Sequence, residues 1–242
     1  MSAPLFLVDQ LPAGDSFVLD GPEGHHAATV QRVRPGDRIL LGDGRGTRAM
    51  AEVVSVDRGR LDLALGRREV VAAPEPRLVV VQGIPKGDRG ELAVQAMTEV
   101  GVDEIVPWAA ARSVTRWRAE RGDKARARWV ATAREAAKQS RRAWLPRIAG
   151  EPDESTKLVA ERLRGAAAAY LLHEEADQRL SAVPLPDGGE IVLVIGPEGG
   201  IDDRELLAFD AAVPVRLGAE VLRTSTAGVA ALAVLATRLG RW

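Results

Sequence analysis

The sequence predicts a β-rich N-terminal part followed by an α/β domain built on a parallel sheet, and two observations predict this fold class. Several short alternating apolar stretches lie within the first 72 residues, separated by turns rich in glycine and aspartate. From residue 77 onward, continuous apolar runs alternate with stretches of helical periodicity, as expected of strands that helices cover on both faces. We therefore expect two domains, over residues 1–72 and 77–242.

Three strands and one helix are predicted in the first part. The strands are RILLGDG (38–44), RAMAEVVSV (48–56) and RLDLALG (60–66). Strands this short and this closely spaced favour a small β-barrel. The helix is predicted over HHAATVQRV (25–33), between Gly24 and Pro35. The two prolines of VVAAPEP (70–76) and its lack of periodicity predict a linker.

Three buried strands and four helices are predicted in the second part, one of them the basic helix around residues 125–145 described below. The strands are RLVVVQG (77–83), AAAAYLLH (166–173) and EIVLVIG (190–196). The other helices are GELAVQAMTEVG (90–101), DDRELLAFD (202–210) and a last helix over about 225–239. Asp202 and Glu205 have the spacing of a capping box at the start of the second helix. Thr224 or Ser225 is expected to cap the last one.

The composition excludes several classes of protein. The chain has 242 residues and no cysteine, which excludes a disulfide framework, a thiolate nucleophile and a cysteine-ligated metal. No apolar run reaches the roughly 18 residues that span a bilayer, and the first residues lack the basic and apolar regions of a secretion signal. We therefore expect a cytoplasmic protein without a metal, since the adjacent His25 and His26 lack a third ligand.

The net charge of −1 conceals a strongly basic middle part. Residues 112–147 hold 12 Lys or Arg against 3 Asp or Glu. In a helix predicted around 125–145, Trp129 and Trp144 share one face. The opposite face carries Arg134, Lys138, Arg141 and Arg142. This face is either an ordinary solvated surface or one that follows a phosphate backbone, and four cations without paired acids favour the second interpretation.

Two glycine-containing loops are the strongest local features. In IVLVIGPEGGID (191–202), a predicted buried strand leads through GPEGG into a helix. In VRLGAEVLRTSTAG (215–228), Arg223 stands among hydroxyl residues just before an apolar helix. Glycine lets a ligand lie directly against the backbone, and open α/β sheets bind ligands at the carboxyl ends of parallel strands. The two loops therefore predict a ligand site, although neither has the residue order of a P-loop or a dinucleotide fold.

Four ordered blocks resemble the RsmE family of ribosomal small-subunit RNA methyltransferases, which belong to the SPOUT superfamily and methylate N3 of a uridine. The blocks are KGDRGELAVQAMTEVGVDEIVPWAAARSV (86–114), REAAKQSRR (134–142), VIGPEGGID (194–202) and LGAEVLRTSTAG (217–228). HHAATVQRVRPGDRILLGDG (25–44) resembles the N-terminal region of the family. The resemblance implies a PUA-like β-barrel that binds RNA, an α/β domain with a C-terminal trefoil knot, and a homodimer that acts on ribosomal RNA or the small ribosomal subunit.

The resemblance also implies S-adenosylmethionine as the cofactor. Its predicted binding residues are Leu172, His173, Glu174, Ile195, Gly196, Pro197, Glu198, Gly199, Gly200, Leu217, Gly218, Val221, Leu222, Arg223, Thr224 and Thr226. Arg223 is the first candidate to stabilise the uracil anion that forms when N3 loses its proton. Glu198 is expected either to accept that proton or to hydrogen-bond the amine of the cofactor. The residues predicted to bind RNA are Arg32, Arg34, Lys86, Arg89, Arg112, Arg134, Lys138, Arg141 and Arg142.

One position departs from the family pattern. The family usually reads Leu-Arg-Thr-Glu-Thr-Ala, and Ser225 stands here in place of the glutamate. We expect the cofactor site to be kept, because serine also caps a helix. Two alternative functions are a non-catalytic RNA-binding or ribosome-assembly factor with the same fold, and a related SPOUT enzyme that acts on transfer RNA.

Overall fold

The computed structural model describes residues 3–150 and 153–242, which form two compact units. The first unit holds the residues up to Ala73 together with Ala137–Leu145. The second unit holds Pro74–Ala136 and Pro146–Trp242. The sequence division leaves residues 137–145 in the second part, whereas the structure groups them with the first.

The first unit is built on one five-stranded sheet. Its strands are β1 (Leu5–Leu7), β2 (Ser16–Leu19), β3 (Arg38–Gly42), β4 (Thr47–Asp57) and β5 (Arg60–Val70). They lie in the order β1-β3-β4-β5-β2, and every pair is antiparallel except β1 with β3. Alternate residues of these strands, among them Ile39, Leu41, Leu61 and Leu63, are buried in a core of their own. The three predicted strands are therefore confirmed as β3, β4 and β5.

The predicted short helix of the first unit begins earlier than expected. Helix α1 covers Gly21–His25 and continues into a π-helical turn over His26–Val30. Pro22 lies in its first turn, a position that proline favours because it needs no N–H bond there. The prediction over residues 25–33 was therefore displaced toward the C-terminus.

The second unit contains a six-stranded sheet in which all neighbouring strands are parallel. Its strands are β6 (Arg77–Gly83), β7 (Glu104–Trp108), β8 (Arg147–Ile148), β9 (Ala168–Leu172), β10 (Glu190–Ile195) and β11 (Val213–Val215). They lie in the order β11-β9-β10-β6-β7-β8. The predicted α/β fold class with a parallel sheet is therefore confirmed. The trefoil knot stays a prediction of the resemblance.

Helices cover both faces of this sheet. They are α2 (Arg89–Glu99), α3 (Ala119–Gln139), α4 (Thr156–Gly165), α5 (Asp203–Ala208) and α6 (Thr224–Arg238), and a 3₁₀ turn covers Leu180–Ala182. Successive strand residues point to opposite faces, so Leu78 and Val80 pack with α2, α3 and α6. Val79 and Val81 pack on the other side with α4 and with residues of α5. Burial on both faces explains why these strands read as continuous apolar runs.

Ion pairs around the buried Glu104 join the amino ends of three strands. Glu104 at the start of β7 bonds Arg77 at the start of β6 over 2.7 Å, and Arg162 of α4 over 2.7 Å. Both arginines also bond Glu190 at the start of β10. Burial raises the pKa of Glu104, but the hydrogen bonds and charges of Arg162 and Arg77 outweigh burial and hold that pKa below its usual value. This network stabilises the amino edge of the sheet.

The basic face predicted around residues 125–145 needs two corrections. Helix α3 ends at Gln139, and Arg141 has a φ of +53°, so Arg141, Arg142 and Trp144 do not lie on the helix. Lys138 is only 6% exposed, and its Nζ lies 3.1 Å from Glu23 Oε1. A buried ammonium requires such a partner, so Lys138 does not belong to an exposed phosphate-binding face.

The predicted caps of the last two helices have different outcomes. Asp202 and Glu205 form the full capping box at the start of α5, as predicted. The N-cap of α6 is Arg223, which makes no side-chain cap bond. The prediction that Thr224 or Ser225 caps α6 was therefore wrong, because the Thr224 hydroxyl donates to the Gly196 carbonyl instead.

Candidate functional site

A pocket opens where three neighbouring parallel strands end. Strands β11, β9 and β10 are adjacent and parallel, so their carboxyl ends lie at one edge of the sheet. The pocket at this edge has a volume of about 570 Å³, which lies within the range of small-molecule sites. The strand ends, the loop after β10 and the loop between β11 and α6 line it, together with Arg89 and Arg112.

The loop after β10 turns sharply on its glycines. The Gly200 N–H donates to the Pro197 carbonyl over 2.9 Å, and Gly200 has a φ of +75°, a conformation that favours glycine. A Cβ at Gly199 would lie 2.8 Å from the carbonyl oxygen of Arg112. Glycine at these two positions therefore permits the turn and the close approach of two backbone segments.

The loop between β11 and α6, residues 216–223, leaves much of its backbone open. It is anchored at its start, where the Arg216 N–H donates to the Gln178 carbonyl over 2.9 Å. Within the parts of the chain that the structure describes, no hydrogen bond is recorded for the backbone N–H groups from 217 to 222. Val221 in this loop is 76% exposed. Open amides beside exposed apolar side chains offer a ligand both polar and apolar contacts.

A buried polar chain fixes the start of α6 against the end of β10. Gln82 of β6 is fully buried, and its Nε2 donates to Thr224 Oγ1 over 2.8 Å. Thr224 Oγ1 donates in turn to the Gly196 carbonyl over 2.9 Å. These two bonds connect the first residue of α6 to β6 and to the end of β10, while Gln82 Oε1 is buried without a partner. The chain thereby sets the position of Arg223, the residue that precedes Thr224.

Glu198 links the loop after β10 to the loop after β6. Its Oε1 accepts a hydrogen bond from Arg89 Nη1 over 3.0 Å and a weaker one from the Lys86 backbone N–H over 3.3 Å. Arg89 and Glu198 are both partly exposed. The ion pair therefore places a carboxylate and a guanidinium together at the rim of the pocket.

A second buried carboxylate, Glu205, holds the segment that carries Arg112. Glu205 Oε1 accepts hydrogen bonds from the Ala111 backbone N–H over 2.6 Å and from Thr156 Oγ1 over 3.2 Å. Its Oε2 accepts from the Asp202 backbone N–H over 3.1 Å. Glu205 is thus the common acceptor for the segment after β7, the start of α4 and the start of α5. It positions Arg112 beside Gly199 without lining the pocket itself.

Arg223 and Arg216 bring positive charge to the pocket. Both line it, and Arg223 is exposed at the N-cap of α6. Among the described residues, no ion pair or side-chain hydrogen bond is recorded for the Arg223 guanidinium. A guanidinium without a carboxylate partner is suited to an anionic group on a ligand.

The structure brings together almost all the residues predicted to bind the cofactor. Of that list, only Thr226 does not line the pocket; its hydroxyl donates to the Arg223 carbonyl instead. Ser225 is buried outside the lining, so the departure from the family pattern does not fall on the pocket wall. The lining residues that sequence reasoning missed are Ile201, Val215, Arg216, Glu220 and Ala227.

The residues predicted to bind RNA are distributed over both units. Those on the first unit are Arg32, Arg34, Lys138, Arg141 and Arg142. Those on the second are Lys86, Arg89, Arg112 and Arg134, of which Arg89 and Arg112 line the pocket. All of them are exposed or partly exposed except Lys138. Lys138 is therefore corrected, and RNA binding by the other residues stays a prediction.

Comparison with known proteins identifies the family. A family model described as an RNA methyltransferase domain matches residues 73–236, and one described as an RNA methyltransferase PUA domain matches residues 19–65. The ribosomal RNA small subunit methyltransferase E of Mycobacterium bovis is 46% identical over all of this chain and 94% of that protein. The chain belongs to this methyltransferase family. The Bacillus subtilis member is 31% identical over 93% of this chain and 91% of that protein.

A solved relative has the same fold over nearly its whole length. The ribosomal RNA small subunit methyltransferase E of Neisseria gonorrhoeae, bound to S-adenosyl methionine, superimposes with a TM-score of 0.85 at 27% identity. The match covers 98% of each chain. Family membership makes this protein an RNA methyltransferase with a PUA domain, as the resemblance implies.

Neither a membrane-spanning helix nor a metal-binding cluster occurs among the described residues. None of the helices in residues 3–150 and 153–242 is both long enough and apolar enough to cross a bilayer. Over the same residues, no group of three or more His, Asp or Glu side chains is arranged to hold a metal ion.

Proposed function

We propose that this protein methylates N3 of a uridine in small-subunit (16S) ribosomal RNA, with S-adenosylmethionine as the methyl donor. Membership of the family supports ribosomal RNA methylation, and the cofactor bound to the Neisseria relative supports the donor. In this chain, the observation that carries the proposal is the pocket at the carboxyl ends of β9, β10 and β11.

The pocket residues fit the chemistry of this cofactor. The open backbone N–H groups from 217 to 222 suit the polar edges of an adenine and a carboxylate. Leu172, Leu217 and Leu222 suit the apolar faces of an adenosine. Glu198, already held by Arg89 and the Lys86 amide, is an acceptor for the amine of the cofactor.

When bound, the cofactor supplies a methyl group on a positively charged sulfur. Transfer to a nitrogen then depends mainly on positioning, which alone provides effective molarities of about 10⁵–10⁸ M in well-oriented reactions. Arg223 would stabilise the negative charge on the uracil once the N3 proton has passed to Glu198 or to solvent. The methyl group would then move from sulfur to N3 and leave S-adenosylhomocysteine. The chain from Gln82 through Thr224 to Gly196 holds Arg223 in place for this role.

The substrate RNA is held by cations near the pocket and on the first unit. Lys86, Arg89 and Arg112 bind phosphates at the pocket edge. Exposed or partly exposed arginines elsewhere extend the contact, namely Arg32, Arg34, Arg134, Arg141 and Arg142. We also propose that two copies form a homodimer, that residues 1–72 act as the RNA-binding domain, and that the protein acts in the cytoplasm with its RNA substrate.

Methyl transfer to purified small subunits tests the proposal. Subunits from a strain that lacks the gene are incubated with the protein and labelled S-adenosylmethionine, and mass spectrometry locates the methyl group. We expect one N3-methyluridine, which is missing before incubation. An unchanged RNA would instead favour the non-catalytic RNA-binding factor, and methylation of transfer RNA would favour the related SPOUT activity.

Replacing Arg223 tests its catalytic role. We expect Arg223→Ala to lower kcat by roughly 10²–10³, as removal of one oxyanion-type donor does, while the affinity for S-adenosylmethionine stays close to that of the unmodified protein. Arg204→Ala on the exposed side of α5 is the matched control and keeps full turnover. Normal turnover by Arg223→Ala would refute the assigned role.

A further inference from the structure

A second, smaller pocket lies in the same unit, beside the loop after β6. Its volume is about 220 Å³. Its walls are residues of the segment 84–91, Thr115 to Trp117, and the first turns of α3. The segment 84–91 also carries Lys86 and Arg89, which bond Glu198 at the rim of the candidate cofactor pocket.

Two tryptophans line this pocket and leave polar groups without partners. Trp117 is 8% exposed and Trp129 is 2% exposed, and their rings pack edge to face with centroids 4.9 Å apart. Within residues 3–150 and 153–242, no acceptor is recorded for either indole N–H. Neither indole nitrogen is among the buried side-chain atoms that lack a partner, so both N–H groups keep some solvent access. Both residues line the pocket, and their N–H groups are donors for a ligand there.

The other polar lining is mainly cationic. Arg116 donates to the carbonyls of Ala110 and Ala111, each over 2.7 Å, and its charge also acts on the nearby carboxylate of Asp153, where it opposes the rise in pKa that burial causes. Arg121 also lines the pocket, and no carboxylate of the described residues forms a salt bridge with it. Arg128 is paired with Glu91 over 3.0 Å. Three guanidinium groups therefore surround the cavity against one carboxylate.

We propose that this pocket binds a backbone phosphate of the RNA substrate. The proposal rests on the proposed function and adds a substrate contact to it. Guanidinium groups match phosphate oxygens in geometry and charge, and the indole N–H groups add neutral donors. A cavity of 220 Å³ is below the roughly 300–1,000 Å³ of pockets that enclose a whole small molecule, so it suits one phosphate group better than a free nucleotide.

The phosphate site lies close enough to the candidate cofactor pocket to influence where the RNA is held during the reaction. Because Lys86 and Arg89 of the segment 84–91 bond Glu198, a strand anchored here runs next to Glu198 and the candidate cofactor pocket. The phosphate contact then fixes the register of the RNA relative to the methyl donor. It contributes to substrate binding and not to the chemical step.

Binding of full-length small-subunit ribosomal RNA by Arg121→Ala tests this proposal. Lys124→Ala is the matched control, since Lys124 is an exposed cation one turn along α3 that pairs with Glu120 and does not line the pocket. Affinity is measured between about 50 and 200 mM salt, where each lost phosphate contact makes the negative slope of log K against log salt shallower by roughly 0.7–0.9. We expect that decrease for Arg121→Ala and a smaller one for Lys124→Ala. Equal slopes for the two variants would overturn the proposal.

Trp117→Phe provides a second, independent measurement. Phenylalanine keeps most of the ring packing but removes the N–H donor, and a thermal melt of the variant checks that the fold is kept. We expect weaker RNA binding with unchanged affinity for S-adenosylmethionine. Binding of inorganic phosphate is measured for the wild type and for Trp117→Phe. If only the wild type binds phosphate while the two proteins bind RNA equally well, the pocket holds a free anion and the proposal is wrong.

These outcomes separate the phosphate site from the methyltransferase function. RNA affinity is measured without methyl transfer, so the binding measurements on Arg121→Ala and Trp117→Phe give a result even if the protein fails to methylate RNA. A wild-type protein that methylates normally, together with an Arg121→Ala variant of unaltered RNA affinity, would refute only the phosphate site. A wild-type protein that binds RNA without transfer would refute only the proposed activity.

Discussion

The variant Gly218→Ala is expected to weaken binding of the cofactor without changing the stability of the fold. Gly218 lines the candidate cofactor pocket, and a Cβ there would meet Glu220 Oε2 at 3.4 Å, an ordinary contact distance. The folded protein therefore has room for Gly218→Ala, whereas a bound cofactor lies against the added methyl. Overpacking of one methyl typically costs about 1–3 kcal/mol, which corresponds to roughly a 5- to 150-fold loss of affinity.

Isothermal titration with S-adenosylmethionine and a thermal melt measure the two effects separately. For Gly218→Ala we expect weaker binding and an unchanged Tm. Gly228→Ala is the opposite control, because a Cβ there would lie 2.6 Å from Met97 Sδ and 2.8 Å from Ile195 Cδ1 and so lowers the Tm. Gly165→Ala, where no atom lies within 4 Å of the added carbon, changes neither quantity. Wild-type affinity in Gly218→Ala would refute the placement of the cofactor.

Two further predictions concern the buried carboxylates. Glu205→Gln weakens the charge-assisted bonds to the Ala111 and Asp202 N–H groups. We expect it to lower the free energy of unfolding, measured by urea denaturation, by about 1.5–3 kcal/mol. A decrease within experimental error would contradict the role of Glu205 as a common acceptor. The pKa of Glu104 lies below the usual value of a glutamate because of Arg162 and Arg77. Its ion pairs therefore contribute their full stability above that usual value and lose it as the pH falls through the lower folded-state pKa. Comparing acid unfolding of the wild type with Glu104→Gln isolates this group, and identical pH dependence in the two proteins would show that the network contributes nothing.

The long parallel strands could be predicted from the sequence because burial on both faces leaves a continuous apolar run. Strands β6, β9 and β10 all show this pattern. Strand β7, also central, was missed because EIVPW begins with Glu104 and contains Pro107. Glu104 is tolerated there only through Arg77 and Arg162, which are distant in sequence. Strands of two to four residues, such as β1 and β8, are too short to show any periodicity.

The candidate site was predictable where its chemistry is local and not where it is assembled from distant parts. The GPEGG loop and the segment around Arg223 are each a run of consecutive residues, and the glycines in each run indicate an exposed backbone. Gln82 reads as an ordinary polar interruption in an apolar strand, and only the folded chain places it against Thr224. Glu205 was recognised as part of a capping box, but its bond to the Ala111 N–H spans 94 positions and leaves no local signal.

The basic middle part shows the limit of an angular argument on an isolated helix. The basic face was predicted from a single helix that continues to residue 145, whereas α3 ends at Gln139. Lys138 was placed on the solvent side of that helix, because its partner Glu23 lies 115 positions away in sequence. Periodicity describes which residues share a face, but not which faces become buried against another part of the chain.

A crystal structure grown with S-adenosylmethionine tests the central claim most directly. Density for the whole cofactor between the strand end at Leu172, the loop after β10 and residues 216–223, with Arg223 beside the methyl group, is the predicted result. Cofactor density elsewhere on the chain, or side chains that close this edge of the sheet against an adenosine, would contradict the account.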